Sequence, residues 1–289
     1  MISSRDILWG IVLPVVVAIV AMLASHFPWR RDAKSHAWGI ALALCGAFAV
    51  AYIGTSGRPK FPPVEAQGWL VYLGVVVVLI AIASTWLRWP VAIASVVIVA
   101  VMTWLIARPT ARSLEPSVFW TGVAATAAVA VVWWALMEWL ASRRPGGGLP
   151  LLMMMWAGAA ALTVINAHSA SLGLMAGTMA VVLGVIGVMG LWLRKVSLSR
   201  GGMLALAVLV LGIMLAGHFF ADLTRFDLIL LAVAPLAMWI AEIPPLRRHA
   251  GVRFCVSLIA LLAVLSIPLV PALKGLRETM KEQSESYSY

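Results

Sequence analysis

What most restricts this chain is a succession of apolar stretches, each close to the length that a helix needs to cross a bilayer. A spanning helix takes about 20 mainly apolar residues. Ten stretches reach or approach that length, over 7–25, 38–54, 68–86, 90–107, 117–141, 150–167, 171–192, 201–220, 228–243 and 252–271. The second and ninth are short, and only a few residues separate the third from the fourth and the sixth from the seventh. The pattern predicts an all-α, polytopic transmembrane helical bundle of about ten spans with short loops. It forms a single domain over 1–275, with a polar, loosely ordered tail over 276–289.

Composition agrees. Hydrophobic residues make up 63% and charged residues 11% of the 289, whereas soluble domains are roughly 45–50% apolar and about 25% charged. A net charge of +10 would suit a nucleic-acid partner. The cations, however, stand in short pairs between apolar runs, such as Arg143 with Arg144 and Arg247 with Arg248, rather than along one polar face. The expected partner is therefore the lipid bilayer, and no nucleic acid. Cys45 and Cys255 both sit inside apolar runs, which gives neither a disulfide framework nor a CxxC metal site; both read as small packing residues. The first run, Ile7 to Ala24, is longer than the 7–15 residues of a signal-peptide core and is followed by Arg30, Arg31 and Lys34, so it reads as a retained helix.

Charge placement gives an orientation. With the N-terminus outside, the inner loops collect twelve Lys and Arg residues and the outer loops five. Cytoplasmic loops are the ones enriched in such cations, so both termini are expected outside, in the plasma (inner) membrane of a prokaryote.

Small residues mark one helix for close packing. Gly173, Gly177, Ala180, Gly184 and Gly187 recur at intervals of four and three and line one face of the seventh segment. A face without bulky side chains lets backbones approach in lipid. Pro14, Pro235 and Pro268 fall within apolar runs, where each removes a backbone donor that a neighbouring helix has to replace.

Two polar groupings carry the candidate chemistry. At the predicted outer surface, "AGHFFADLTRFDL" brings His218, Asp222, Arg225 and Asp227 together, and "VINAHSAS" places Asn166 and His168 at the same level. Two histidines, an asparagine and an aspartate at one depth could hold a metal, a haem iron or a polar substrate, because ionisable groups at membrane depth usually face the bundle interior. The competing reading is that Asp222, Arg225 and Asp227 end helices and pair locally, with His218 half-buried and hydrogen-bonded. Zinc chemistry needs three protein ligands, and the third here would have to be Asp222. No metal and no cofactor is expected.

At the predicted inner surface, "MEWLASRR" and "AEIPPLRR" repeat one spacing. Glu138 precedes Arg143 and Arg144, and Glu242 precedes Arg247 and Arg248, by five and six residues. Pairing within each motif is the plain expectation. A gate built from Glu138, Arg143, Glu242 and Arg247, with a carboxylate coupled to a substrate or proton, is the functional one. No ionisable residue is placed near the midplane, which argues against a charged-substrate antiporter or a proton pump. Three functions stay open: a permease for a small or lipid-like molecule, a non-catalytic subunit with membrane-protein partners, and an outer-face enzyme or haem protein using His168 and His218.

Overall fold

The computed structural model describes residues 8–26, 37–63, 65–87, 89–193, 196–244 and 249–286. The protein is 86% helical, without strands among the described residues. A π-helical turn, Leu8–Val12, leads into α1 (Leu13–His26). There follow α2 (Ala37–Ser56), α3 (Ala66–Ala83), α4 (Trp89–Ala107), a 3-10 turn (Arg108–Arg112) and α5 (Pro116–Arg143). The second half holds α6 (Gly148–Asn166), α7 (Ala170–Leu193), α8 (Gly202–Phe220), α9 (Arg225–Val233), a 3-10 helix (Ala234–Glu242) and α10 (Ala250–Ser286). Among the described residues nine helices, α1 to α8 and α10, are long and apolar enough to cross a membrane. The chain has the build of an integral membrane protein.

The ninth expected span is not a uniform helix. Gly148 at the start of α6 lies beside Phe254, and Asn166 at its end beside Gly275, so α6 and α10 run parallel. The chain leaves α8 next to the end of α6, where the Asp222 N–H donates to the Ala167 carbonyl at 3.2 Å. The segment from Arg225 to Glu242 must therefore return it to the opposite end. Nine α-helical residues at 1.5 Å and nine 3-10 residues at 2.0 Å reach about 31 Å. That matches a hydrocarbon core of about 30 Å. The looser 3-10 rise lets a short segment cover the distance.

Proline causes the change of helix type, and indoles repair it. Pro235 has no N–H, so the Leu231 carbonyl four residues earlier loses its α-helical donor. With the shift to i+3 bonding, the Ala232 carbonyl also faces the proline nitrogen. Trp156 Nε1 donates to Leu231 O at 2.7 Å and Trp133 Nε1 to Ala232 O at 2.8 Å. The two rings stack with centroids 5.4 Å apart. The N-terminal helix repeats the device: Pro14 frees the Gly10 carbonyl, and Thr178 Oγ1 of α7 donates to it at 2.7 Å. Lipid supplies no donors, so each freed carbonyl takes one from a neighbouring helix.

The centre of the bundle is α8. It is packed by α2, α3, α4, α5, α6, α7 and α9, and every residue from Gly202 to Gly217 is buried. Against it, α6 and α7 form the closest helix pair. A Cβ on Gly187 would stand 2.7 Å from the Leu151 side chain, and one on Gly190 would stand 2.9 Å from the Gly147 Cα. A Cβ on Gly184 would meet Met154 Sδ at 2.9 Å, and one on Gly173 would overlap Ile165. Gly177 differs, because a Cβ there would meet Ala161 at an ordinary 3.8 Å. Ala180 lies beside Gly158. The small-residue face thus packs on α6 and extends one step further than the sequence spacing suggests, to Gly190.

Two further expectations shift. The segment after 275, read as a loose tail, continues α10 as far as Ser286, consistent with its run of Arg, Glu, Met, Lys and Gln, all good helix formers. Cys45 is buried as a packing residue, whereas Cys255 is exposed on the bundle surface.

Candidate functional site

The two polar groupings lie at opposite ends of the bundle and differ in kind. At the His218 end, most of the side chains serve local turns. Thr224 caps α9: its Oγ1 accepts from the Asp227 N–H at 3.1 Å and donates to Asp227 Oδ2 at 2.7 Å. His218 is half-buried, with Nδ1 2.8 Å from the Leu223 carbonyl. His168 holds φ +64° just past α6. Around it, the Ser169 N–H donates to Val164 O at 3.3 Å and the His168 N–H to Ile165 O at 3.1 Å. Those are the 6→1 and 5→2 bonds of a Schellman ending, with histidine in the left-handed position that glycine usually takes. Its ring approaches Asp222 at 3.5 Å, both side chains more than four-fifths exposed. Arg225 is exposed, and Asn166 stands beside Gly275. Asp222 and His168 are therefore brought together, while His218 turns to a backbone carbonyl. No three metal-ligating side chains converge among the described residues.

At the other end the polar groups are buried and reach across the bundle. Arg144, just beyond α5, is 5% exposed. Its Nε donates to Glu242 Oε1 at 2.6 Å, Nη1 to Ser257 Oγ at 2.8 Å and Nη2 to the Met238 carbonyl at 2.9 Å. Arg253 lies 4.0 Å from the same carboxylate oxygen. Burial draws the Arg144 guanidinium below its ordinary pKa, and the adjoining Glu242 carboxylate opposes that shift. One arginine so ties α5 to the 3-10 helix and to α10. Among the described residues, Glu138 does not pair with Arg143 or Arg144 of its own motif; Arg144 takes Glu242 of the second motif. Arg143 instead lies 3.3 Å above the Trp139 ring, and Trp139 stacks on Trp239. Arg247 lies outside the described residues.

Glu138 takes a third course. Its Oε1 accepts from the Arg200 N–H at 2.6 Å, where Arg200 holds φ +62° before α8. Its Oε2 is buried without a hydrogen-bond partner, and so is Trp134 Nε1, one helical turn earlier on the same face of α5. Both residues line a cleft of about 280 Å³, walled by Ala81 on α3 and Ser84 just after it, Val91 and Ser95 on α4, and Leu204 on α8. A second vestibule of about 350 Å³ opens at the His218 end, walled by Ala66 and Gln67 of α3, Pro109 beyond α4, Leu172 of α7, and Ala216 and Phe220 of α8. There Gln67 Nε2 donates to Glu65 Oε2 at 2.6 Å, so those polar groups satisfy each other.

The region between the vestibules is closed. Leu204 and Ala216, one in each, stand twelve residues apart on α8, which is about 18 Å along the axis. Leu70, Val77, Val99, Met102 and Ile106 fill the interval with no exposed surface. The tightest point is Gly212, where a Cβ would stand 2.6 Å from Leu70 Cδ2 and 3.4 Å from Ile106 Cδ1. Sequence reasoning had singled out Glu138 but not Trp134, Ser84, Ser95 or Arg200 as its company. The i, i+4 spacing of Trp134 and Glu138 was a usable signal. No family model matches the chain, and neither the curated proteins nor the solved structures contain a match.

Proposed function

We propose that the chain is a permease for a small polar molecule, moved along the seam between α3, α4 and α8. The observation that carries this reading is the pair of vestibules at opposite ends, both walled by α3 and α8, one also by the start of α4 and the other by the 3-10 turn that follows it, with an apolar plug between them. A passage closed at its middle and open at each end suits a carrier that exposes its site alternately. Gly212 supports the reading, because Leu70 and Ile106 seat against bare α8 backbone, and a small shift of α8 would unseat both. In this reading the chain makes ten crossings, the ninth through α9 and its 3-10 continuation. The loop charges then put the Arg144 end in the cytoplasm and both termini outside.

The test is accessibility. In a Cys45→Ala/Cys255→Ser background, single cysteines at Ser95 and Ala216 should react with an impermeant maleimide from opposite faces of a vesicle. A transported molecule should change the two reactivities in opposite directions. Constant reactivity at both positions, whatever is added, would leave no moving passage. It would favour the second reading, a non-catalytic subunit, for which the buried, apolar stretch of α8 from Gly202 to Gly217 is a fitting column.

A further inference from the structure

We propose that the cleft beside Glu138 is a binding site for a primary ammonium group. This names a substrate class for one vestibule of the permease and rests on that reading only for the consequence of binding. The argument is an inventory of donors and acceptors. Ser84 Oγ donates its proton to the Ala81 carbonyl at 2.7 Å, and Ser95 Oγ donates to the Val91 carbonyl at 2.8 Å. Each hydroxyl has spent its only proton inside its own helical segment, so each offers the cleft an acceptor oxygen and nothing more. Glu138 Oε2 is a third acceptor, buried and unpartnered.

Three acceptors in one small cleft match the three N–H donors of an alkylammonium. A ligand lacking those donors would leave the carboxylate oxygen as it stands, and a buried unpaired acceptor is unfavourable. Glu138 is held for this task by the Arg200 N–H, which occupies Oε1 and leaves Oε2 to the cleft. Among the described residues Glu138 makes no ion pair; Arg200, whose N–H holds Oε1, also lines the cleft, and its side chain forms no salt bridge with the carboxylate. Trp134 brings an aromatic ring into the same lining, suited to a cation or to the alkyl body next to it, and its Nε1–H is, among the described residues, the one buried donor there without an acceptor. Apart from Arg200 and Gly201, the remaining walls, Ile80, Ala81, Leu87, Val91, Ala92 and Leu204, are apolar. The volume of about 280 Å³ admits a short-chain amine and not a bulky one.

A free amine and the headgroup of an aminolipid present the same ammonium, and the experiment separates them. The full chain is placed in phosphatidylcholine nanodiscs, and butylammonium binding is followed by calorimetry and by tryptophan fluorescence. Butylammonium should bind at least tenfold more tightly than butanol or butyrate, and butyltrimethylammonium, which has no N–H, should bind at least tenfold more weakly. Glu138→Gln keeps an oxygen for the Arg200 N–H, so its melting temperature should stay near that of the parent while butylammonium affinity falls tenfold or more. Ser95→Ala should lose severalfold. Adding phosphatidylethanolamine to the nanodisc should weaken apparent butylammonium binding if the headgroup is the natural occupant, and leave it unchanged if a free amine is; either result keeps the ammonium site. Equal affinity for butylammonium and butanol, or unchanged affinity in a folded Glu138→Gln variant, overturns it. Tight binding with no butylammonium flux into proteoliposomes would keep the site and remove the permease, whereas alternating maleimide reactivity without ammonium binding would do the reverse.

Discussion

The two ends of the bundle use the same residue types in opposite ways. At the His218 end, charged and polar residues are dense in sequence and, apart from the exposed His168–Asp222 pair, act within a few positions of themselves: Thr224 with Asp227, His218 with Leu223, His168 in the turn that ends α6. At the Arg144 end the buried ones act at long range. Arg144 reaches Glu242 across 98 residues and Ser257 across 113, and Glu138 reaches Arg200 across 62. The difference is one of solvent. Exposed groups can be satisfied by water, so nearest neighbours suffice and helix ends become their natural use. Buried groups must be satisfied by protein, so the fold has to bring partners from distant helices. Density of charge along the chain is thus a poor guide to where a polar network will form.

The largest expected effect tests that contrast at its strongest point. Arg144→Met leaves the Glu242 carboxylate buried without its principal partner and strips donors from the Met238 carbonyl and Ser257. Loss of one member of a buried pair typically destabilises by about 3–5 kcal/mol. Thermal unfolding in detergent should show a large drop, and the double variant Arg144→Met/Glu242→Leu should recover most of it, because removing both charges removes the penalty. A single variant that melts within a degree of the parent would mean that this end is not held by its network.

Legibility in the sequence followed the same division. The apolar runs place α1 to α8 and α10 because length and hydropathy are local properties. The capping of α9 was readable too, since Thr224 and Asp227 stand in the [ST]-x-x-[DE] spacing of a helix start, although charge rather than the cap drew attention to that stretch. Pro235 announced a freed carbonyl but could not say that Trp156 and Trp133 would fill it. The cross-pairing of Arg144 with Glu242 was not readable, because equal spacings in the two motifs make local partners look sufficient. Nor was the left-handed turn at His168, a position where glycine is the usual signal.

Packing at the Arg144 end gives the next largest effect. Gly190→Ala would press a methyl onto the Gly147 backbone, which has no side chain to swing aside, and overpacking of this kind costs about 1–3 kcal/mol. Gly177→Ala, in the middle of α7, meets only an ordinary contact with Ala161. It should be neutral or stabilise by up to about 1 kcal/mol through helix propensity. Melting temperatures that fall equally for both would show that the α6–α7 contact is uniform along its length. At the His218 end, Thr224→Ala removes a cap and should destabilise by about 1 kcal/mol, visible chiefly as faster amide exchange in the first turn of α9.

The smallest effect is the most pointed, because it concerns the residues that looked most like a site. The His168–Asp222 pair is more than four-fifths exposed on both sides and 3.5 Å apart, and exposed pairs contribute about 0–1 kcal/mol. Asp222→Asn should therefore leave the melting temperature almost unchanged, at low and at high salt alike. His168→Gly should raise it, since glycine adopts the left-handed backbone without the strain that a Cβ brings there. The gain is expected to be about 1 kcal/mol or less, because glycine also gives the unfolded chain more freedom. These two variants separate a turn from a site: if His168 only ends α6, His168→Gly stabilises the protein and leaves vestibule labelling at Ala216 intact. A stabilised variant whose Ala216 reactivity no longer responds to a transported molecule would assign the histidine a working role, and the reading of the exposed polar residues at this end as helix-ending groups would have to be abandoned.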